Sequence, residues 1–221
     1  MSEQEKNWQK FEREKIPSSL NLFPIIFDYL KKNDQILDVG CGFGRICIDL
    51  YNKGYKEVYG IDINESGILY ARKQISELSQ DHLKVANATN IPFDDSQFDF
   101  VITHAFWTTV MSEEREAVMK EISRVLKKDG FLYTAQFGQT WEDPLYKKRY
   151  EDGLAKGYKR GTFESLDKET GELRYLAYHY TKEEIEALTN VVNFKILYYS
   201  NEIFTTQSGN RINGHVLIAQ K

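Results

Sequence analysis

The 221-residue sequence predicts an α/β fold on a mostly parallel sheet. Three observations carry this. Apolar, strand-like runs alternate with amphipathic helical stretches up to Phe137, which implies a parallel sheet with right-handed crossovers. A turn with glycines at alternate positions, Gly40-Cys41-Gly42-Phe43-Gly44, joins the first apolar strand to the helix after it. The carboxyl end then breaks the alternation with two extended segments joined by Gln207-Ser208-Gly209-Asn210, a β-hairpin signal.

In chain order, Glu3–Lys15 is charged and helical in spacing, with Trp8 and Phe11 three apart. Leu20–Leu30 reads as a second helix with Pro24 in its first turn, where a missing N–H costs nothing, so residues 1–32 are expected as N-terminal helices. Strand one is Gln35–Val39, and a helix follows from Arg45 to Lys53. Glu57–Ile61 is strand two, ending at Asp62, and Glu65–Leu78 is a helix. Leu83–Ala86 and Phe98–Thr103 are strands three and four. Glu113–Leu126 is amphipathic, with Val118, Ile122, Val125 and Leu126 on one face, and Lys127-Lys128-Asp129-Gly130 reads as its cationic, glycine-terminated end. Phe131–Phe137 is strand five, Lys182–Thr189 the last helix, and Phe194–Phe204 and Arg211–Gln220 form the hairpin.

Composition bounds the function. Hydrophobic residues at 41% and charged residues at 28% are ordinary for a soluble globular chain, and residues 1–221 are expected to form one domain. The first thirty residues lack the apolar core of a signal peptide, and no stretch is long enough to span a bilayer, so a cytoplasmic protein without membrane partners is expected. A net charge of −4 argues against general nucleic-acid affinity, although a local patch is compatible with it. Cys41 and Cys47 are too few for a disulfide framework and read as small packing residues. His82, His104, His179 and His215 show no metal-ligand spacing, and no nucleophile elbow is present.

The glycine turn is built to hold a nucleoside-containing ligand against bare main chain. A dinucleotide fingerprint requires its third glycine at position 45, which is Arg45, and no Gly-Lys-Ser/Thr follows as in a phosphate-binding loop. Asp38, two residues before Gly40, would repel an anion and suits a cationic ligand. S-adenosylmethionine carries a sulfonium and an ammonium and no phosphate. The segment Asp38-Val39-Gly40-Cys41-Gly42-Phe43-Gly44 resembles the first motif of the class I S-adenosylmethionine-dependent methyltransferases. The resemblance extends through residues 36–137, including Ile91-Pro92-Phe93-Asp94-Asp95 before strand four.

The resemblance implies a Rossmann-like three-layer sandwich whose seven-stranded sheet has the order 3-2-1-4-5-7-6, with strand seven antiparallel. It implies S-adenosylmethionine as cofactor, with Asp38, Gly40, Cys41, Gly42 and Gly44 around its methionyl portion. Asp62, 24 positions after Asp38, suits the ribose hydroxyls, and its alternative is a helix N-cap; Ile63 is placed to pack on adenine. Asn87 stands where the family usually carries an aspartate for the adenine amino group, and the backbone of Ala88 is placed for adenine N1. The turn Thr103-His104-Ala105-Phe106-Trp107 is expected near the methionyl end, with His104 as a general base or as a positioning residue.

Residues 139–180, rich in tyrosine and interleaved with cations, read as a lid over the acceptor site. The implied activity is methyl transfer to an unidentified acceptor, expected to be a small molecule. RNA or protein acceptors, another transferase using the same nucleoside, and a non-catalytic binding module are the alternatives. Oligomeric state is left open.

Overall fold

The computed structural model describes residues 3–12, 21–167, 169–206 and 209–221. Seven strands make one sheet: β1 Ile36–Val39, β2 Val58–Asp62, β3 Leu83–Val85, β4 Phe98–His104, β5 Leu126–Phe137, β8 Lys195–Thr205 and β9 Arg211–Gln220. Their spatial order is β3-β2-β1-β4-β5-β9-β8, with β9 antiparallel to both neighbours, which is the order the resemblance implied. The other two strands, β6 Thr162–Leu166 and β7 Leu173–Tyr178, pair as a separate antiparallel ribbon.

Helices cover both faces. On one side α2 (Arg45–Asn52) and α3 (Glu65–Gln74) bury Ile46, Cys47, Leu50, Ile68 and Ala71 against Ile36, Phe100, Ile102, Val216 and Ile218. On the other, α4 (Arg115–Val125) and α6 (Lys182–Asn190) bury Val118, Met119, Ile122, Val125 and Ile185 against Leu37, Val39, Val101, Leu217 and Ala219. The period-two alternation of β1 and β9 sends successive side chains into opposite layers, so the sheet is apolar on both faces.

Chain direction across the sheet reverses at β1: β2 and β3 extend to one side, β4 and β5 to the other. Loops leaving the carboxyl ends of β1 and β4 therefore diverge, and open α/β sheets bind ligands in that crevice.

Several expected boundaries are corrected. The second N-terminal helix is only a 3-10 turn, Pro24–Asp28, whose single fully buried side chain is Ile26; Leu20 lies outside the described residues. α1 covers Glu3–Gln9 alone, and Arg13–Lys15 lie outside the described residues. Trp8 and Phe11 still stack, at 4.4 Å between ring centroids. α3 stops at Gln74 because Ile75 leaves helical geometry (φ −123°, ψ 60°) to bury itself in the core. Lys127-Lys128-Asp129-Gly130 does not end a helix but forms the irregular start of β5, where Leu126 pairs with Phe98 and the register shifts before Phe100. The left-handed residue there is Asp129 (φ 63°), while Gly130 is needed because a Cβ would come within 2.9 Å of the Lys127 carbonyl oxygen.

The segment 139–180 contains α5 (Pro144–Ala155) followed by the β6–β7 ribbon. The Asp143 side chain caps α5, accepting from Leu145 N and Tyr146 N. The segment is pinned to the end of β5, where Gln139 N donates to the Tyr180 carbonyl (2.9 Å) and Tyr180 N to the Phe137 carbonyl (3.0 Å). No helix among the described residues is long and apolar enough to cross a membrane.

Candidate active site at the carboxyl edge of the sheet

A cavity of about 940 Å3 opens at the ends of β1, β2 and β4 and continues beneath α1, α5 and the β6–β7 ribbon. Asp38, Gly40, Cys41, Gly42, Asp62, Ile63, Asn87, Ala88 and His104 all line it, so nine of the residues singled out from the sequence meet in one space. Two do not reach it in this way. Gly44 (φ 73°) is a packing glycine, since a Cβ there would come within 2.4 Å of the Ala71 Cβ on α3. Thr103 is fully buried behind the wall, where its hydroxyl accepts from the Trp107 indole N–H (3.1 Å) and its carbonyl accepts from Gln136 Nε2 (2.8 Å). Trp107 is thereby a core residue, while its neighbour Phe106 lines the cavity.

Gly40 (φ 77°) turns the chain off β1 in left-handed geometry, and a Cβ there would strike the Phe106 ring at 2.4 Å. Gly42 N donates to Asp62 Oδ2 (2.8 Å), tying the glycine turn to the end of β2. Asp62 Oδ1 accepts from Asn64 N (2.8 Å), and it is Asn64, not Asp62, that caps α3, its Oδ1 accepting from Gly67 N (2.8 Å). The Asp62 carboxyl is raised by burial, against which the Asn64 and Gly42 N–H groups act. Each oxygen keeps an acceptor lone pair for a ligand hydroxyl.

Asp38 is buried with Cys47 Sγ at 3.8 Å, and burial pushes its carboxyl up to about 7 despite the nearby Arg45 guanidinium. A buried carboxylate so poorly compensated is suited to a cation. Cys41 and Cys47 are free and buried, with the Cys41 Sγ packed where a Cβ on Gly60 would sit.

Asn87 is engaged differently from the expectation. Its amide oxygen, anticipated as the acceptor for an adenine amino group, already accepts from Thr89 N (2.9 Å) and Thr89 Oγ1 (3.0 Å). Its Nδ2 donates to Glu5 of α1, a cavity-lining carboxylate that sequence reasoning missed because it lies 82 positions away.

His104, the last residue of β4, is buried, and burial together with Arg45 pushes its imidazole down to about 3. It is neutral near pH 7 and a poor proton acceptor, which favours the positioning role over the general-base role. Tyr133 Oη accepts from Phe23 N (3.3 Å) and lies 3.4 Å from His104 Nδ1, a contact that either neutral tautomer of the imidazole can make. That Nε2 has no partner among the described residues; nor do the buried Trp8 Nε1 and Thr108 Oγ1, and all three residues line the cavity. The three atoms are themselves shut off from water, and an unpaired buried polar atom is costly until something pairs with it.

α1 closes the site from above. Asn64 Nδ2 donates to the Trp8 and Phe11 carbonyls (both 2.9 Å), and Leu176 N donates to Gln4 Oε1 (2.9 Å). Trp8 also packs on Tyr175 of the ribbon, with 4.9 Å between centroids. The described lysines of segment 139–180 are exposed and pair with acids: Lys147 with Glu151, Lys148 with Asp152, Lys156 with Glu164 and Lys159 with Glu184.

Comparison with known proteins agrees with this geometry. Residues 37–134 match a family described as a methyltransferase domain. The crystal structure of an S-adenosylmethionine-dependent methyltransferase from Methanosarcina mazei is 41% identical, with a TM-score of 0.85 over 91% of this chain and 99% of that one. A demethylmenaquinone methyltransferase of Staphylococcus saprophyticus is 28% identical over 67% of this chain and 58% of its own length. The eEF1A lysine and N-terminal methyltransferase of Mus musculus is 24% identical over 56% of this chain and 19% of its own. The chain thus spans less than two thirds of the length of these curated relatives.

Proposed function

This chain belongs to the S-adenosylmethionine-dependent methyltransferases, and from that premise we propose that it methylates a small organic acceptor held beneath the α5–β6–β7 lid. The observation that carries the reading is the continuity of one cavity of about 940 Å3 from Asp38 and Asp62 to Tyr146, Tyr175 and His179. Small-molecule sites commonly measure about 300–1,000 Å3, so the space suits a cofactor and a modest acceptor together.

The residues present fit the cofactor. Asp38 supplies a buried carboxyl that a cationic end would hold ionised, and Gly40 and Gly42 keep the turn free of side chains. Asp62 receives the ribose hydroxyls, Ile63 and Ala88 flank the adenine, and Asn87 positions Glu5. When bound, the cofactor brings a methyl group already activated by its sulfonium. The protein's part is alignment: holding reacting atoms about 3–3.5 Å apart supplies roughly 7–11 kcal/mol of a barrier. His104, neutral and unpaired at Nε2, orients a polar group of a ligand without taking a proton.

The test pairs calorimetry with turnover. S-adenosylhomocysteine is expected to bind and NADH is not, and a small-molecule panel with S-adenosylmethionine should yield S-adenosylhomocysteine with at least one member. Binding of NADH in place of S-adenosylhomocysteine would sink the proposal.

A further inference from the structure

The lid wall of the cavity differs in charge from the strand-end wall. The carboxylates that line the space, Glu5, Asp38, Asp62 and Glu114, come from α1, the ends of β1 and β2, and the turn before α4. The segment 139–180 contributes none to the lining; it contributes Arg149 and Arg174.

The two arginines are not equivalent. Arg174 Nε lies 4.0 Å from Asp167 Oδ2, so its charge is shared. Arg149 has no carboxylate partner among the described residues, while the nearby lysines of α5 are paired with Glu151 and Asp152. Its guanidinium lies over the rings of Tyr146 (5.2 Å) and Phe163 (5.4 Å), one residue on its own helix and one on β6. Both rings are buried, as is the neighbouring His179, which Arg149 helps hold neutral. Both rings lie to one side of the guanidinium, their own centroids 6.0 Å apart. A guanidinium held against aromatic rings on one side can still pair with a planar anion through its N–H groups, the geometry of a paired carboxylate. A guanidinium at the cavity wall without a protein carboxylate partner leaves its charge for a ligand to pair.

We propose that Arg149 is the recognition residue for the methyl acceptor, and that the acceptor is a small aryl or alkyl monocarboxylate whose apolar body packs among Tyr146, Phe163 and Tyr175. This rests on the methyl-transfer reading and adds the substrate class. A single uncompensated guanidinium matches one negative charge, which favours a carboxylate over a phosphate dianion.

The experiment measures binding, not turnover. Ligand-observed NMR is run on the full chain saturated with S-adenosylhomocysteine, with benzoate, phenylacetate and hydrocinnamate, their primary amides, and phenyl phosphate as probes. At least one carboxylate is expected to bind about tenfold more tightly than its amide, a gap of 1.4 kcal/mol. Arg149→Met should remove that preference and Arg149→Lys restore part of it. Both variants should keep the S-adenosylhomocysteine affinity and melting temperature of the parent, which separates recognition from misfolding. Equal binding of acids and amides, tighter binding of phenyl phosphate, no carboxylate binding, or an unchanged preference in Arg149→Met would overturn the proposal. So would an equal loss of S-adenosylhomocysteine affinity in Arg149→Met, since Arg149 would then belong to the cofactor. Failure of the parent protein to bind S-adenosylhomocysteine would instead overturn the underlying methyl-transfer reading.

Discussion

Asp38 and His104 line the same cavity, and burial drives both toward neutrality, one up to about 7 and the other down to about 3. For Asp38 the folded protein favours the protonated carboxyl. Its contribution therefore makes the ligand-free protein less stable as pH rises from the usual carboxylate range to about 7, with no further change above. Asp38→Asn should raise the melting temperature of the free protein more at pH 8 than at pH 5, while weakening S-adenosylmethionine binding by about tenfold or more. Thermal melts at the two pH values and calorimetry check both halves. His104→Gln keeps a hydrogen-bonding group and is expected to retain turnover within a few fold with an unchanged pH profile, whereas His104→Ala should lose about tenfold through the missing hydrogen bond. A limb near pH 6.5 that vanishes in His104→Gln would restore the base reading. Gly40→Ala combines a left-handed residue with a 2.4 Å clash on Phe106, and should destabilise the protein by about 1–3 kcal/mol. Adding Phe106→Ala should recover the steric part of that loss in denaturant titrations.

Among the elements, α1 is the one whose importance exceeds its length. Seven residues bridge the end of β2 and the β6–β7 ribbon, held by Asn64 below and by Gln4 and Trp8 toward β7. Asn64 has two separable roles, capping α3 through Oδ1 and tethering α1 through Nδ2. Asn64→Ser keeps a capping oxygen and loses the tether, while Asn64→Ala loses both. The alanine variant should be less stable than the serine variant by about 1 kcal/mol, yet both should release S-adenosylhomocysteine faster than the parent. Equal release rates in parent and serine variant, measured by stopped-flow displacement, would show that α1 does not hold the ligand in.

At the scale of the molecule, a rigid sheet core carries a site whose covering pieces come from distant parts of the chain. Hydrogen exchange should therefore be graded. β1, β4, β5 and β9, with apolar contacts on both faces, are expected to exchange slowest, and α1 with the β6–β7 ribbon fastest. Adding S-adenosylhomocysteine should slow exchange in α1, the 40–45 turn and residues 62–64 and 87–89, and leave the already protected core strands unchanged. Uniform protection across the chain would argue for a global stiffening instead.

The strand order, the glycine turn and the meeting of Asp38, Asp62 and His104 at one edge were legible from sequence. The strand order came through the family resemblance of the 36–137 motifs. Apolar periodicity specifies which residues face each layer, and a turn motif specifies its own backbone; both are local properties. Boundaries such as the end of α3 at Ile75 and the irregular start of β5 were not, because burial and sheet register override local propensity there. Nor were the roles that depend on partners far along the chain. Thr103 is claimed by Trp107 and Gln136, the amide of Asn87 is divided between Thr89 and Glu5, and His104 loses its basicity to burial beside Arg45. Sequence alone settled what kind of ligand edge this chain builds. Only the folded packing, which sets desolvation and hydrogen-bond competition, decided which side chains remain free to use it.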